Sequence, residues 1–280
     1  MRGPLGDALL LALLVLPLTA CTSPDNSGGQ LSPSAWESDA SIPAPGSVRY
    51  RYEWDRTGIE TLSEGGPWFV VNDLGYTVTV DSGFLVSASV QLSQCEEETS
   101  TIGYLWNALF GIGSARAGHS SEYNPAAITT GVVESLTMMP DIDAGTVTEL
   151  AERFCSVHYL VAAGDKETRS LPPDVQMVDR SLWIEGTWRA PGSDEVVPFE
   201  VDTAMAWGLL KGLYPPGYFE RAEALFQFDA DESGALVVVR RRVREFFNGV
   251  DFAELTPKAL PTRVLAAMFD ATEIAVQSSD

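Results

Sequence analysis

The sequence predicts a mostly β fold, a single elaborated antiparallel β-sandwich with a short helical insert and a C-terminal helix. Three observations predict it. Apolar and polar residues alternate with a period of two in several separate stretches, as half-buried strands do. Turn residues punctuate the chain about every 8–12 positions, the rhythm of sandwiches and barrels. Helical periodicity is confined to two short stretches.

Taken in order, the first strand starts after Ser47. Val48, Tyr50, Tyr52 and Trp54 alternate there with Arg49, Arg51 and Glu53. Gly65, Gly66 and Pro67 break the chain, and Trp68 to Val71 reads as a short apolar strand. After a turn at Asn72, Asp73 and Gly75 come two alternating stretches, Tyr76–Val80 and Phe84–Leu92, which read as a strand pair. Tyr104 to Phe110 groups Leu105, Trp106, Leu109 and Phe110 at helical spacing between glycines, which predicts the helical insert. Strands resume at Val132–Leu136 and Thr146–Leu150. From Phe154 onward, Cys155, Val157, Tyr159 and Val161 share a face. Leu182, Ile184 and Trp188 form a strand that turns at Pro191-Gly192-Ser193-Asp194 and returns through Val197, Phe199 and Val201. Leu209 to Arg221 reads as irregular, and Leu225–Phe228 with Leu236–Val243 as a second hairpin. Pro261 to Phe269 is the predicted C-terminal helix, with proline suited to its first turn, and Ile274 with Val276 an edge strand.

The N-terminus has a different character. Arg2 precedes an apolar run from Ala8 to Leu18 that ends in Leu18-Thr19-Ala20-Cys21. As a helix this run spans about 20 Å, short of the ~30 Å bilayer core, so it has the length of a secretory signal and not of a membrane span. It resembles a bacterial lipoprotein signal, with Leu18, Thr19 and Ala20 at the aliphatic and small positions before the lipidated cysteine. The resemblance implies cleavage before Cys21, thioether lipid and N-acylation (palmitate or a similar chain) on that residue, and a place in the cell envelope on the periplasmic face or the outer membrane. Thr22, not acidic, implies sorting away from the inner membrane. Two or three acyl chains hold a protein durably where one does not. The domains then read as a signal peptide at 1–20, the lipidated cysteine with a Pro-, Gly- and Ser-rich flexible linker at 21–46, and the sandwich at 47–280.

The net charge of −21 excludes nucleic acid as a partner, because the chain repels phosphates. With Cys21 given to lipid, Cys95 and Cys155 remain of the three cysteines. Outside the cytoplasm two such thiols are expected to pair, and the bridge contributes about 4 kcal/mol on the chain-entropy estimate.

Motifs for chemistry are sparse. Gly118-His119-Ser120-Ser121-Glu122 lacks the second glycine of a nucleophile elbow. Asp229, Asp231, Ser233 and Gly234 match half of a calcium loop, but Arg240 stands where the bidentate glutamate belongs, so a polar turn is expected. His119 and His158 are the two histidines; with Met138 or Met139 they form a candidate copper set, since imidazole and thioether suit that ion. Arg240, Arg241, Arg242 and Arg244 form a basic cluster in which 241 faces away from the others, read as charge protection of an edge strand together with local ion pairs.

Asn72-Asp73-Leu74-Gly75-Tyr76-Thr77-Val78-Thr79-Val80 and Phe246-Phe247-Asn248-Gly249-Val250-Asp251-Phe252 resemble segments of uncharacterised bacterial lipoproteins, distantly similar to methanobactin-associated copper-binding periplasmic proteins. That resemblance implies a β-sandwich, with copper held by histidines and a modified tryptophan. The expected function is that of a non-enzymatic binding or structural module without a cofactor, lipid-anchored to the envelope, its partner an envelope protein, a glycan or a metal ligand. The alternatives are a copper-binding lipoprotein using His119 and His158, and an envelope hydrolase with paired carboxylates.

Overall fold

Among the described residues, fourteen strands and one α-helix build the body. The computed structural model describes residues 42–63, 65–94, 124–150, 153–212, 228–229 and 234–278. Cys21, Cys95, His119, the helical insert at 104–110, the linker up to residue 41, and most of the 229–234 turn lie outside the described residues. Those described belong to one unit, Ser41–Asp280. It takes in residues 42–46, where Gly46 accepts a hydrogen bond from Leu150 N–H at 3.0 Å.

The strands are β1 (Val48–Asp55), β2 (Glu60–Thr61), β3 (Trp68–Val71), β4 (Thr77–Gln94), β5 (Ala127–Ile128), β6 (Val132–Ser135) and β7 (Ile142–Val147). They continue with β8 (Arg153–Val161), β9 (Leu182–Arg189), β10 (Val197–Thr203), β11 (Trp207–Gly212), β12 (Phe228–Asp229), β13 (Ala235–Arg242) and β14 (Thr272–Ser278). A 3₁₀ turn, Val243–Glu245, follows β13, and helix α1 spans Leu260–Asp270. The smaller sheet has four strands in the order β14-β13-β1-β7. The larger has ten, with β10-β9-β4-β3-β2 along one path and β5, β6 and β8 also on β4; β8 carries β11 and β12.

The predicted sandwich is present, and most of its pairings are antiparallel. One is not: β1 and β13 run parallel, Val48 opposite Ala235 through Asp55 opposite Arg242. Parallel neighbours need a long connection, and here it is nearly the whole body. The inner faces follow the alternation. Val48, Tyr50, Tyr52 and Trp54 from β1 and Ala235, Val237 and Val239 from β13 enter the core against Val78, Val80, Val90 and Leu92 of β4 and Val157, Tyr159 and Val161 of β8. Helix α1 adds Leu260, Val264, Leu265, Met268 and Phe269 to the core, and Phe269 stacks on Tyr159 with centroids 5.8 Å apart.

Three expectations need correction. The stretches at 76–80 and 84–92 fall in one strand, β4, which pairs with β9 from Thr77 through Leu85, across the join, and with β8 from Ser87 onward. The polar triplet between them is a bulge, with the register shifting between Val80 and Ser82. Gly83 is needed there because a Cβ would stand 2.9 Å from Leu136 and 3.2 Å from the Trp183 carbonyl. Second, Phe228–Asp229 and Ala235–Arg242 make no hairpin; β12 pairs with β8 in the large sheet while β13 lies in the small one. Third, the arginine-rich strand β13 is no edge, since β1 and β14 flank it. The local ion pairs do form: Arg240 with Glu53, and Arg242 with Glu245 and Glu273.

The two segments singled out by resemblance meet in space. Buried Asn72 donates from Nδ2 to the Phe247 and Val250 carbonyls at 3.0 Å each, and its Oδ1 accepts Leu74 N–H at 3.1 Å and Tyr76 N–H at 2.9 Å. Asp73 accepts Gly249 N–H at 2.6 Å, and the Tyr76 hydroxyl donates to Asp251 at 2.6 Å. Gly249 has φ 67°, a left-handed conformation suited to glycine. The clasp closes over Phe199, Phe247, Phe252 and Trp188, whose rings lie within 5.2–6.1 Å of one another in successive pairs.

Replacing Asn72 by alanine should destabilise the body by about 2–3 kcal/mol, because it strands buried carbonyls and amides; denaturant unfolding measures this. Asn72→Asp should cost at least as much, since a carboxylate cannot donate to the two carbonyls. Asp251 gives a pH signature. The Tyr76 hydroxyl, aided by backbone N–H groups, holds its carboxyl below the ordinary aspartate value. Its contribution is therefore complete above about pH 4 and is lost as pH falls through the lower folded value. The melting temperature should drop less steeply below pH 4 in Asp251→Asn than in the parent, because asparagine keeps a neutral acceptor.

Candidate functional site

Among the described residues, two places that gather chemically capable side chains stand out, one sealed and one open. The sealed one begins with the phase of β13. Its inward positions are Ala235, Val237 and Val239, and the next is Arg241. A guanidinium thus enters the core, with 1% of its side chain exposed, opposite the fully buried Glu134 of β6. The pair is bidentate at 2.9 and 2.8 Å. Arg241 Nη2 also donates to the Ser87 hydroxyl of β4 at 2.9 Å and the Tyr159 hydroxyl of β8 at 2.6 Å, and Ser87 bonds Glu134. Aromatic rings line the cation, with Trp54 at 4.7 Å, Tyr159 at 5.3 Å and Tyr52 at 5.4 Å from the guanidinium carbon.

Burial pulls the Arg241 guanidinium down, but Glu134 and then Tyr159 carry the balance upward, so the cation persists. Burial pushes the Glu134 carboxyl up against the opposing pull of Arg241 and Ser87. Serine, carboxylate and tyrosine within bonding reach resemble a catalytic set, but no substrate reaches groups this sealed. The network is a structural joint between sheets.

The open place is a pocket of ≈ 390 Å³ between the turn after β6 and the turn at 169–170. Phe84, Val132 and Val133 supply apolar lining, with Met138, Pro140 and Ile142 beside them. Asp141, Asp143, Arg169, Ser135 and Ser170 supply polar atoms. Arg51 bonds Asp141 at 2.8 Å, and Arg49 bonds Asp143 through Nε at 3.0 Å. Arg169 donates to the Ala144 carbonyl at 2.9 Å, joining the large-sheet side to β7. The turn after β6 is pinned by two other side chains. Arg56 donates to the Met138 carbonyl at 2.7 Å and to that of Met139, and Trp68 Nε1 donates to Leu136 O at 2.6 Å. Met139 (φ 45°) and Ser170 (φ 60°) hold left-handed conformations unusual outside glycine.

The residues nominated from sequence fare differently. His158 stands mid-strand in β8, across from Gln91 and Leu210. Burial holds its imidazole below the ordinary histidine value. Glycine at 208 makes room for the ring, since a Cβ there would lie 3.0 Å from Nε2. Its proposed partner His119 is outside the described residues, and Met139 is buried in the core. Among the described residues no group of three His, Cys, Asp or Glu side chains is placed to hold a metal ion. Cys155 is the single cysteine among the described residues; it is half-buried in β8 and engaged by a partner.

Sequence reasoning missed Glu134, Asp141, Asp143 and Arg169. A signal for the aspartates existed: Asp141-x-Asp143 is charge-complementary to Arg49-x-Arg51 at the same spacing, as neighbouring strands allow. No protein-family model matches the chain, and neither does any curated protein or solved structure.

Arg241→Met should destabilise the protein by about 3–5 kcal/mol, since it leaves Glu134 buried without its cation. Arg241→Met combined with Glu134→Leu should recover a large part of that loss, because a buried pair exchanged for apolar volume is often neutral. Urea unfolding of the parent, the single and the double variant measures both.

Proposed function

We propose that this chain is a lipid-anchored extracytoplasmic envelope protein whose body serves as a non-enzymatic binding or structural module. One observation carries the reading: the apolar run ending in Leu18-Thr19-Ala20-Cys21, followed by a polar, Pro-, Gly- and Ser-rich stretch and then a folded body. The lipid supplies the membrane contact, and the stretch up to residue 41 supplies reach. The chain's net charge of −21 keeps it off anionic surfaces and nucleic acids and leaves neutral or cationic envelope components as partners. Its build supports the module reading. The buried Arg241 network serves stability, while the open pocket displays preset polar and apolar groups. A Cys95–Cys155 disulfide belongs to the same proposal, since an oxidising compartment favours it. It would tie the end of β4 to β8.

Metabolic labelling with an alkyne fatty acid, followed by mass spectrometry of the N-terminal peptide, tests the anchor. The parent should begin at Cys21 and carry diacylglyceryl and acyl mass. Cys21→Ser should take up no label and leave the membrane fraction. A parent protein with unmodified Cys21 would sink the proposal.

A further inference from the structure

We propose that the pocket between the turn after β6 and the 169–170 turn binds a neutral saccharide. The proposal rests on the module reading and names the class of ligand that the module takes. Its volume of ≈ 390 Å³ is that of a small-ligand site and admits one or two sugar rings.

The lining chemistry selects the ligand. Phe84, Val132 and Ile142 supply apolar surface to the lining. The half-buried Phe84 ring is backed by Trp183, with centroids 6.1 Å apart and planes 19° from parallel. It is therefore a fixed apolar surface, suited to the C–H face of a pyranose. The same lining holds two carboxylates whose charges are already offset: Arg51 bonds Oδ2 of Asp141 and Arg49 bonds Oδ2 of Asp143. Both aspartates remain about half exposed, at 48% and 49%. A carboxylate oxygen has more lone pairs than one arginine uses, so these groups accept from a ligand without presenting net negative charge. Arg169 adds N–H donors at the same mouth, held there by Ala144 O.

An ionic ligand gains little from such a mouth. A cation meets aspartates that arginines already hold, and an anion meets those aspartates. An apolar peptide side chain could rest on Met138, which is 64% exposed. It would, however, cover the charged groups without replacing their water, which is unfavourable. A ring with hydroxyls at its edge and C–H bonds on its face satisfies both kinds of lining group. The pocket is also preformed, because Arg56 and Trp68 hold the 136–139 turn. That lowers the ordering cost of binding.

The test uses the full chain in detergent micelles with N-acetylglucosamine, chitobiose, maltose and cellobiose. Saturation-transfer NMR reads binding, and the unfolding midpoint reads both binding and the folded state. At least one sugar should bind in the millimolar range or tighter and raise the midpoint. Asp141→Ala with Asp143→Ala should weaken that binding by about tenfold or more, on the scale of one lost charged hydrogen bond. Should the double variant fail to fold, Asp141→Asn and Asp143→Asn singly should each weaken binding several-fold. The proposal falls if none of the four sugars binds the parent at tens of millimolar, or if folded variants bind as the parent does. It also falls if a peptide with apolar and basic side chains occupies the pocket where the sugars do not. Lipid on Cys21 is read on the same preparation, so loss of the anchor and loss of sugar binding are separate results.

Discussion

The guanidinium of Arg241 is the point on which both sheets agree. It comes from β13 of the small sheet and reaches Glu134, Ser87 and Tyr159, which come from three strands of the large one. A charge so placed cannot be shared with water, so its position must be met by the right partners or the core is penalised. Apolar residues on the same faces tolerate small shifts. The ion pair does not, because bidentate geometry is directional. The pair therefore selects one arrangement among the many that the valine-rich faces would allow.

The selection shows most clearly in register. A slip of one residue in β13 would turn Arg241 outward and bring Arg240 or Arg242 into the core, and it would expel Val237 and Val239. It would also separate Arg240 from Glu53, which holds it at 2.7 Å on the outer face. The inner and outer pairs thus favour the same alignment of β13 on β1. This matters because the two strands are parallel neighbours from opposite ends of the body, with no tight turn to set their register. Side-chain chemistry does what a hairpin does elsewhere in the fold, as between β9 and β10, where Ser193 N–H bonds the Ala190 carbonyl at 3.1 Å.

This contrast explains what could be read from the sequence. Local information was legible. The alternation in Val48–Trp54, the turn at 191–194 and the helix at 260–270 are each decided by a few neighbouring residues. The β4 strand reads as a pair of strands because the alternation breaks at Asp81-Ser82-Gly83, and only contact with Leu136 and Trp183 reveals a close packing point there. The hairpin expected around residue 234 failed for a related reason: β12 and β13 pair with strands far away in sequence. Arg241 was legible in phase, since it alternates with Val237 and Val239. It was not legible in burial, because its partner Glu134 lies 107 positions away. The pocket was least visible, because Phe84, Asp141 and Arg169 have no local relation to one another.

The same residue types therefore do opposite work according to depth. In the core, arginine and carboxylate meet with 0–1% of their side chains exposed and lock the sheets. At the edge of β7, Arg49 and Arg51 meet Asp143 and Asp141, which are about half exposed. Pairs of that kind contribute little to stability, on the order of 0–1 kcal/mol each. Their energetic weakness is what suits them to recognition. A group bound tightly within the protein has nothing left to exchange with a ligand, whereas a weakly held, oriented carboxylate can trade water for a hydroxyl at small cost. A core that secures its own geometry permits such an edge. Because the joint at Arg241 holds the sheets together, the strands bearing Asp141 and Asp143 need not be stabilised by those side chains, which stay available at the surface.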